Sequence, residues 1–92
     1  MARKYFRIRE DVVYLTDYTV TEFELKNEKI GEKQKTVFYA ENNFETTKQK
    51  FVYWGLCALD TNDVINVKGR IQGDIFVVWD YRITKKAVRS AL

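Results

Sequence analysis

The stretch VKGRIQGDIFVVWDY, Val67–Tyr81, predicts two antiparallel strands joined by a tight turn. A two-residue hairpin turn needs positive φ, which glycine adopts without steric cost, so Gly73 and Asp74 are the expected turn residues. The flanking runs, Asp63–Gln72 and Asp74–Ile83, are the clearest strands in the chain because they are rich in β-branched and aromatic residues.

One face of this predicted hairpin carries an unusual row of long polar side chains. Residues opposite each other in a hairpin share a face. The opposed pairs on this face are Gln72 with Ile75, Arg70 with Val77, Lys68 with Trp79 and Asn66 with Tyr81. The other face holds Ile65, Val67, Gly69 and Ile71 against Arg82, Asp80, Val78 and Phe76, and it is predicted to form the core because most of it is apolar. An unpaired buried charge costs several kcal/mol, so the polar face is expected to be at least partly open.

An open face with aromatic and cationic side chains has the chemistry of a single-strand platform, on which bases stack and cations follow the phosphates. The alternative is that Trp79 and Tyr81 lie under a helix of the chain or against a partner protein, with the stems of Lys68 and Arg70 lying over their edges. A turn with an odd number of residues would exchange the two faces.

The remaining segments predict further strands. Lys4–Thr16 is expected to form one long bent strand or a hairpin broken at Glu10 and Asp11, and Tyr18–Lys26 alternates like a half-buried strand. Thr36–Ala40 is expected to return as the next strand, after a polar loop at residues 27–35 that can serve as a binding flap.

Residues 43–63 are ambiguous. The absence of β-branching in Leu56–Leu59 favours a helix from Thr46 or Thr47 to Leu59, whereas Lys50–Trp54 alone is compatible with a strand that stops at Gly55. We expect residues 1–84 to form a single small domain and residues 85–92 to form a basic tail, either a short helix or disordered.

The composition limits the chemistry. Ninety-two residues fit one domain, and a lone Cys57 cannot form an internal disulfide. Because the chain has no histidine, it cannot form a Ser-His-Asp triad or a Cys-His nucleophile pair, and no metal site or cofactor is expected. The paired acids Glu22 and Glu24 are typical of solvated surface, so we do not expect an enzyme.

No apolar run reaches the roughly 18 residues of a membrane span, and the N-terminus lacks a signal peptide, so the cytoplasm is the expected compartment and no membrane is expected as a partner.

The net charge of +3 is unevenly distributed. The first nine residues carry four bases and no acid, and residues 64–92 carry six bases against two acids, whereas residues 10–63 carry eleven acids against six bases. If the two ends meet in the fold they form one basic surface, and otherwise they are merely solvated.

The element order, three strands, a helix and a strand pair, resembles the OB-fold barrel. The segments WGLCA (Trp54–Ala58) and NDVINVKGRI (Asn62–Ile71) resemble bacterial and phage single-stranded-DNA-binding proteins, in which W-G-x-x-A is followed by G-D-x-V-x-V-x-G-R-L. The resemblance implies a mainly β barrel of about five strands with one short helix between strands three and four, and bases stacked on Trp54 and Trp79. It also implies that WGLCA ends the third strand, in conflict with the helix interpretation.

The first functional hypothesis is therefore binding of single-stranded DNA or RNA without sequence preference, as an accessory protein of replication or recombination. A polymerase, primase or helicase is the expected protein partner, and the lysine- and asparagine-rich composition suits a phage or mobile genetic element. The candidate nucleic-acid-binding residues are Asn66, Lys68, Arg70, Trp79, Tyr81, Trp54, Arg7, Arg9, Lys85 and Lys86.

The second hypothesis is a protein-binding module, such as a replication accessory subunit or a phage-type inhibitor, in which the same Trp79 and Tyr81 anchor an interface and Arg70 is a further contact. The acidic hairpin around Glu22 and Glu24 could then mimic nucleic acid. The tryptophan face could equally join two copies of the chain in a homo-oligomer.

Overall fold

The chain forms a closed five-stranded β-barrel in a computed structural model that describes residues 12–88. The strands are β1 (Val13–Ile30), β2 (Lys33–Asn42), β3 (Lys48–Trp54), β4 (Val64–Gln72) and β5 (Ile75–Lys85). Around the barrel their order is β1-β2-β3-β5-β4; β3 and β5 are parallel, and the other neighbours are antiparallel. The five-stranded barrel is confirmed, and its topology is compatible with an OB-like fold. The predictions for Lys4–Asp11, which include Arg7 and Arg9, and for residues 89–92 of the basic tail lie outside the described residues.

Stacked phenylalanines fill the barrel. Phe38 and Phe51 are opposed on β2 and β3, with ring centroids 5.1 Å apart and planes 8° from parallel, and Phe76 of β5 lies 5.4 Å from Phe51. All three are fully buried, and burying a side chain of this size contributes about 1.5–3 kcal/mol. These rings therefore tie three neighbouring strands to one core.

The first strand is longer than predicted. The segments expected to separate near Asp17 belong to one 18-residue strand, which bends at a bulge instead of breaking. Asp17 has a left-handed φ of 59°, and its N–H donates to the side-chain oxygen of Asn66 at 3.1 Å. The predicted alternation at Thr21–Lys26 is confirmed, with the acids of that run exposed.

The predicted helix from Thr46 or Thr47 to Leu59 is wrong. The segment begins with β3, which pairs with β2 on one side and β5 on the other, so its backbone groups are satisfied within the barrel. An irregular segment follows, and Cys57 and Leu59 join the core from it. No helix occurs within residues 12–88, and hence none there is long and apolar enough to cross a membrane.

The predicted polar loop at residues 27–35 is instead a two-stranded arm. β1 and β2 stay paired up to Ile30 and Lys33, and Gly31, with φ 67°, begins the two-residue turn. The pairing of β1 with β4 stops at Thr19 and that of β2 with β3 stops at Lys35, so the arm extends beyond the barrel.

Asn27 fixes the base of this arm. Its side-chain oxygen accepts the N–H of Cys57 at 2.7 Å, and its amide donates to the Cys57 carbonyl at 3.0 Å. Its own N–H donates to the hydroxyl of buried Thr36 at 2.9 Å. The arm is thereby joined to the segment that closes the end of the barrel.

The turn at Gly73 and Asp74 is confirmed, but the register changes further along the hairpin. The predicted pairing holds as far as Gly69 opposite Val78, and a bulge follows. An alanine Cβ at Gly69 would lie 1.9 Å from the Val77 carbonyl oxygen, so only glycine fits this position. Past the bulge, Lys68 lies opposite Asp80.

The bulge reverses the faces of the second half of β5. Tyr81, which we predicted beside Trp79, lies opposite buried Val67 and packs against the core, with its ring edge-on to Tyr53 at 5.1 Å. Its hydroxyl accepts the N–H of Ala58 at 2.9 Å. Strict alternation would have directed Asp80 and Arg82 at the core, and the bulge leaves both exposed.

Candidate nucleic-acid interface

Two half-exposed tryptophans occupy corresponding positions on neighbouring strands of the barrel. The parallel ladder of β3 and β5 ends with Tyr53 beside Val78, and the next residues of the two strands are Trp54 and Trp79. Trp54 is 44 % exposed and Trp79 is 47 % exposed. The structure therefore brings together the two tryptophans that the sequence singled out, although they are 25 positions apart in the chain.

A lysine covers part of the Trp54 ring. Lys35 is the cross-strand partner of Trp54 on β2, and its ammonium nitrogen lies 5.1 Å from the ring centroid. Such a cation–π contact at an exposed site contributes about 0.5–1 kcal/mol, which is little enough for a ligand to displace it. Lys35 was not among the predicted site residues.

A cleft opens between Trp54 and the arm. Its volume is about 540 Å³, and the N–H of Gly55 donates to the Gln34 carbonyl at 2.8 Å across its base. The cleft is lined by Lys29, Glu32, Lys33, Gln34, Trp54 and Gly55. The arm, which was expected to act as a flap, thus contributes two cations beside an aromatic ring.

Three valines outside the core cluster lie below the tryptophans, and two of them, Val37 and Val52, are buried. Val37 of β2 lies opposite Val52 of β3, which lies beside Val77 of β5, and all three alternate with core phenylalanines. Arg70 of β4 is the cross-strand partner of Val77 and is exposed. The predicted cation Arg70 therefore lies one strand from Trp79 and two strands from Trp54.

Lys68 and Asn66 face a second depression on the other side of β5. This groove of about 290 Å³ is lined by Tyr14, Leu15, Thr16, Asn66, Val67, Lys68, Asp80, Tyr81 and Arg82. Tyr14 is the partner of Lys68 on β1 and is 67 % exposed. The exposed Lys68 can contact a ligand in this groove, whereas the side-chain oxygen of Asn66 already accepts the N–H of Asp17 in the bulge of β1.

Lys86 has a structural role. Its ammonium bridges Asp60 and Asp63, at 2.9 Å from each carboxylate, and Lys26 lies 3.1 Å from Asp60. Hydrogen bonds donated by Lys86 and Lys26 lower the pKa of Asp60 to about 2, and the bonds that Lys86 donates to Asp63 and Asp60 raise the pKa of Lys86 itself. Lys85 ends β5 and is exposed.

The carboxylate of Asp63 is fully buried within this cluster. It accepts the N–H groups of Asp60 and Ala87, each at 2.8 Å, as well as the Lys86 ammonium. Burial alone would raise the pKa of Asp63, but the hydrogen bonds from Ala87, Lys86 and Asp60 together lower it. This cluster joins the β3–β4 segment to the chain that follows β5.

Comparison of the chain with protein-family models, with curated proteins and with solved structures gave no match in any of the three. Residues 12–88 contain no cluster of histidine, cysteine, aspartate or glutamate side chains that could hold a metal ion. The function must therefore be inferred from the surface geometry itself.

Proposed function

We propose that this barrel binds single-stranded nucleic acid, with bases stacked on Trp54 and Trp79. The observation that carries the proposal is the placement of these two half-exposed tryptophans at corresponding positions of two parallel, neighbouring strands, with Lys35 over the Trp54 ring. Stacking of a base on an aromatic side chain contributes roughly 1–3 kcal/mol and tolerates any sequence, because every base has a π-face. Such a protein would serve in replication or recombination, where single strands are exposed.

Phosphate contacts come from cations on both sides of the tryptophans. Lys35 and the arm lysines Lys29 and Lys33 lie on the Trp54 side, and Lys68 and Arg70 lie on the Trp79 side. If about three of these cations contact phosphates at once, the logarithm of the affinity falls with the logarithm of salt concentration with a slope of about −2.

Single-tryptophan variants test the proposal directly. Trp54→Phe leaves Trp79 as the only indole, and Trp79→Phe leaves Trp54, while each retains a ring on which a base can stack. Titration with oligo-dT at two salt concentrations is expected to quench the remaining tryptophan in both variants, more strongly at low salt. A variant with alanine at both positions is expected to lose binding, measured by the anisotropy of a labelled oligonucleotide.

Phe44→Ala is the matched control. Phe44 is 79 % exposed in the β2–β3 turn, at the opposite end of β3 from Trp54, so its loss is expected to leave binding unchanged. Unquenched tryptophans, or binding indifferent to salt, would refute the proposal. If oligonucleotides fail to bind while a stoichiometric protein partner is recovered through Trp54 and Trp79, the protein-binding alternative is correct.

A further inference from the structure

Three exposed aromatic residues and two lysines occupy successive positions across the five strands of the barrel. Lys35 on β2 lies opposite Trp54 on β3, which is followed by Trp79 on β5. Beside Trp79, the pair of Asp80 with Lys68 leads to β4, and Lys68 is in turn the partner of Tyr14 on β1. The row therefore crosses all five strands.

We propose that a bound single strand follows this row past Trp79 and over β4 to a second stacking position on Tyr14. The inference rests on the proposed function, and it adds a subsite on the β1–β4–β5 side of the barrel. There a base stacks on Tyr14, while Lys68 and Arg82 contact the flanking phosphates.

The chemistry of the groove fits a nucleic-acid strand as its occupant. Lys68 and Arg82 contribute two positive charges against the single negative charge of Asp80, and all three are exposed. Tyr14 is the most exposed aromatic side chain in the row, at 67 %, compared with 44 % for Trp54 and 47 % for Trp79. The groove thus repeats the pairing of an exposed ring with a lysine that is found at Trp54.

The length of the row predicts how many nucleotides the site accommodates. Neighbouring strands are about 4.8 Å apart, so the path from β2 to β1 measures roughly 19 Å at the backbone and is longer at the side-chain surface. A strand that covers only the tryptophans is too short to reach Tyr14. The subsite is therefore used by long oligonucleotides and not by short ones, within the range of about 4–16 nucleotides typical of such barrels.

The test compares Tyr14→Ala with the wild-type protein on two labelled oligo-dT strands, of about 3 and about 12 nucleotides, by anisotropy. Tyr14→Ala is expected to weaken binding of the longer strand by about five-fold or more, and that of the shorter strand by less than about two-fold. Tyr14→Phe, which retains the ring, is expected to bind like the wild type. Arg82→Gln is expected to reduce the slope of the logarithm of affinity against the logarithm of salt concentration by about 0.7 in magnitude, for the longer strand only.

The outcomes separate the two proposals. If Tyr14→Ala weakens both strands equally, or neither, or if the wild type binds both lengths with the same affinity, the second subsite is refuted while the tryptophan site stands. If neither strand binds the wild-type protein at low salt, the proposed function fails and the extension fails with it. Phe44→Ala again serves as the control for loss of an exposed aromatic ring.

Discussion

Asp63→Ala is expected to destabilise the barrel by about 3–6 kcal/mol, because two backbone N–H groups lose hydrogen bonds to a buried carboxylate, each of which contributes about 1.5–3 kcal/mol. The fully buried carboxylate accepts three hydrogen bonds, from two backbone N–H groups and from the Lys86 ammonium. A hydrogen bond to a charged group contributes about 1.5–3 kcal/mol, but Lys86 is half exposed and water can replace its contact. The orphaned N–H groups of Asp60 and Ala87 therefore account for most of the loss.

Urea unfolding followed by tryptophan fluorescence measures this loss. The midpoint urea concentration is expected to fall, while the dependence of the unfolding free energy on urea concentration stays unchanged. Asp80→Ala is the matched control, since Asp80 is an exposed acid on β5 and its replacement is expected to change stability by less than about 0.5 kcal/mol. Lys86→Ala is expected to cost less than Asp63→Ala, because it leaves both backbone hydrogen bonds in place. A loss below about 1 kcal/mol in Asp63→Ala would refute the structural role of the cluster.

Three further perturbations test the fold. Gly69→Ala is expected to cost about 3 kcal/mol in urea unfolding, because its Cβ would lie 1.9 Å from a backbone oxygen of β5; a loss below about 1 kcal/mol would contradict that close approach. Asn27→Ala is expected to cost more than Asn27→Gly, since both lose the bonds to Cys57 but only alanine is strained at φ 52°; equal losses would show that strain is negligible. The pKa of Asp60 is lowered to about 2, and that of Asp63 is also lowered. Their contribution to stability is therefore present above about pH 4 and is lost as the pH falls towards about 2. Over that range the thermal midpoint of the wild-type protein is expected to fall more steeply than the thermal midpoint of Asp63→Asn.

The strands and the last turn were predictable because their signals are local. Glycine with Asp74 between two β-branched runs specifies a turn without any knowledge of the rest of the chain. The bulge near Trp79 is different, since it depends on what the core tolerates. Its one sign in the sequence was that strict alternation placed Asp80 and Arg82 on the apolar face opposite Val67 and Ile65. Two charges directed at a core are too costly to keep, and a bulge is one way to remove them.

The error over residues 46–59 has a tertiary cause. Local propensity leaves a short run such as Lys50–Trp54 undecided, and the partners of β3 come from β2 and β5, the latter 25 residues later in the chain. The resemblance to single-stranded-DNA-binding proteins implied that Trp54 lies at the end of a strand, as it does, whereas the residue pattern left both a helix and a strand open.

The candidate site was only partly predictable for a similar reason. Trp54 and Trp79 stand out as indoles in any reading of the sequence. Lys35 and Tyr14 do not, because their importance comes from cross-strand pairing with Trp54 and Lys68, which requires the register of two further ladders. Tyr81 does not share a face with Trp79, as it was predicted to, because one bulge reverses every side chain beyond it.

The uneven charge along the chain acquires a physical meaning in the barrel. Four acids of the central region form ion pairs with lysines: Glu22 with Lys48, Glu24 with Lys50, Asp60 with Lys26 and Lys86, and Asp63 with Lys86. Within residues 12–88, by contrast, no ion pair joins an acid to Lys68, Arg70 or Arg82 of the last hairpin. The cations that hold the fold are thus different from those that lie along the aromatic row. Because only the latter can exchange small counterions for phosphates without breaking an internal pair, the salt dependence of binding and the stability of the barrel should be carried by separate sets of residues.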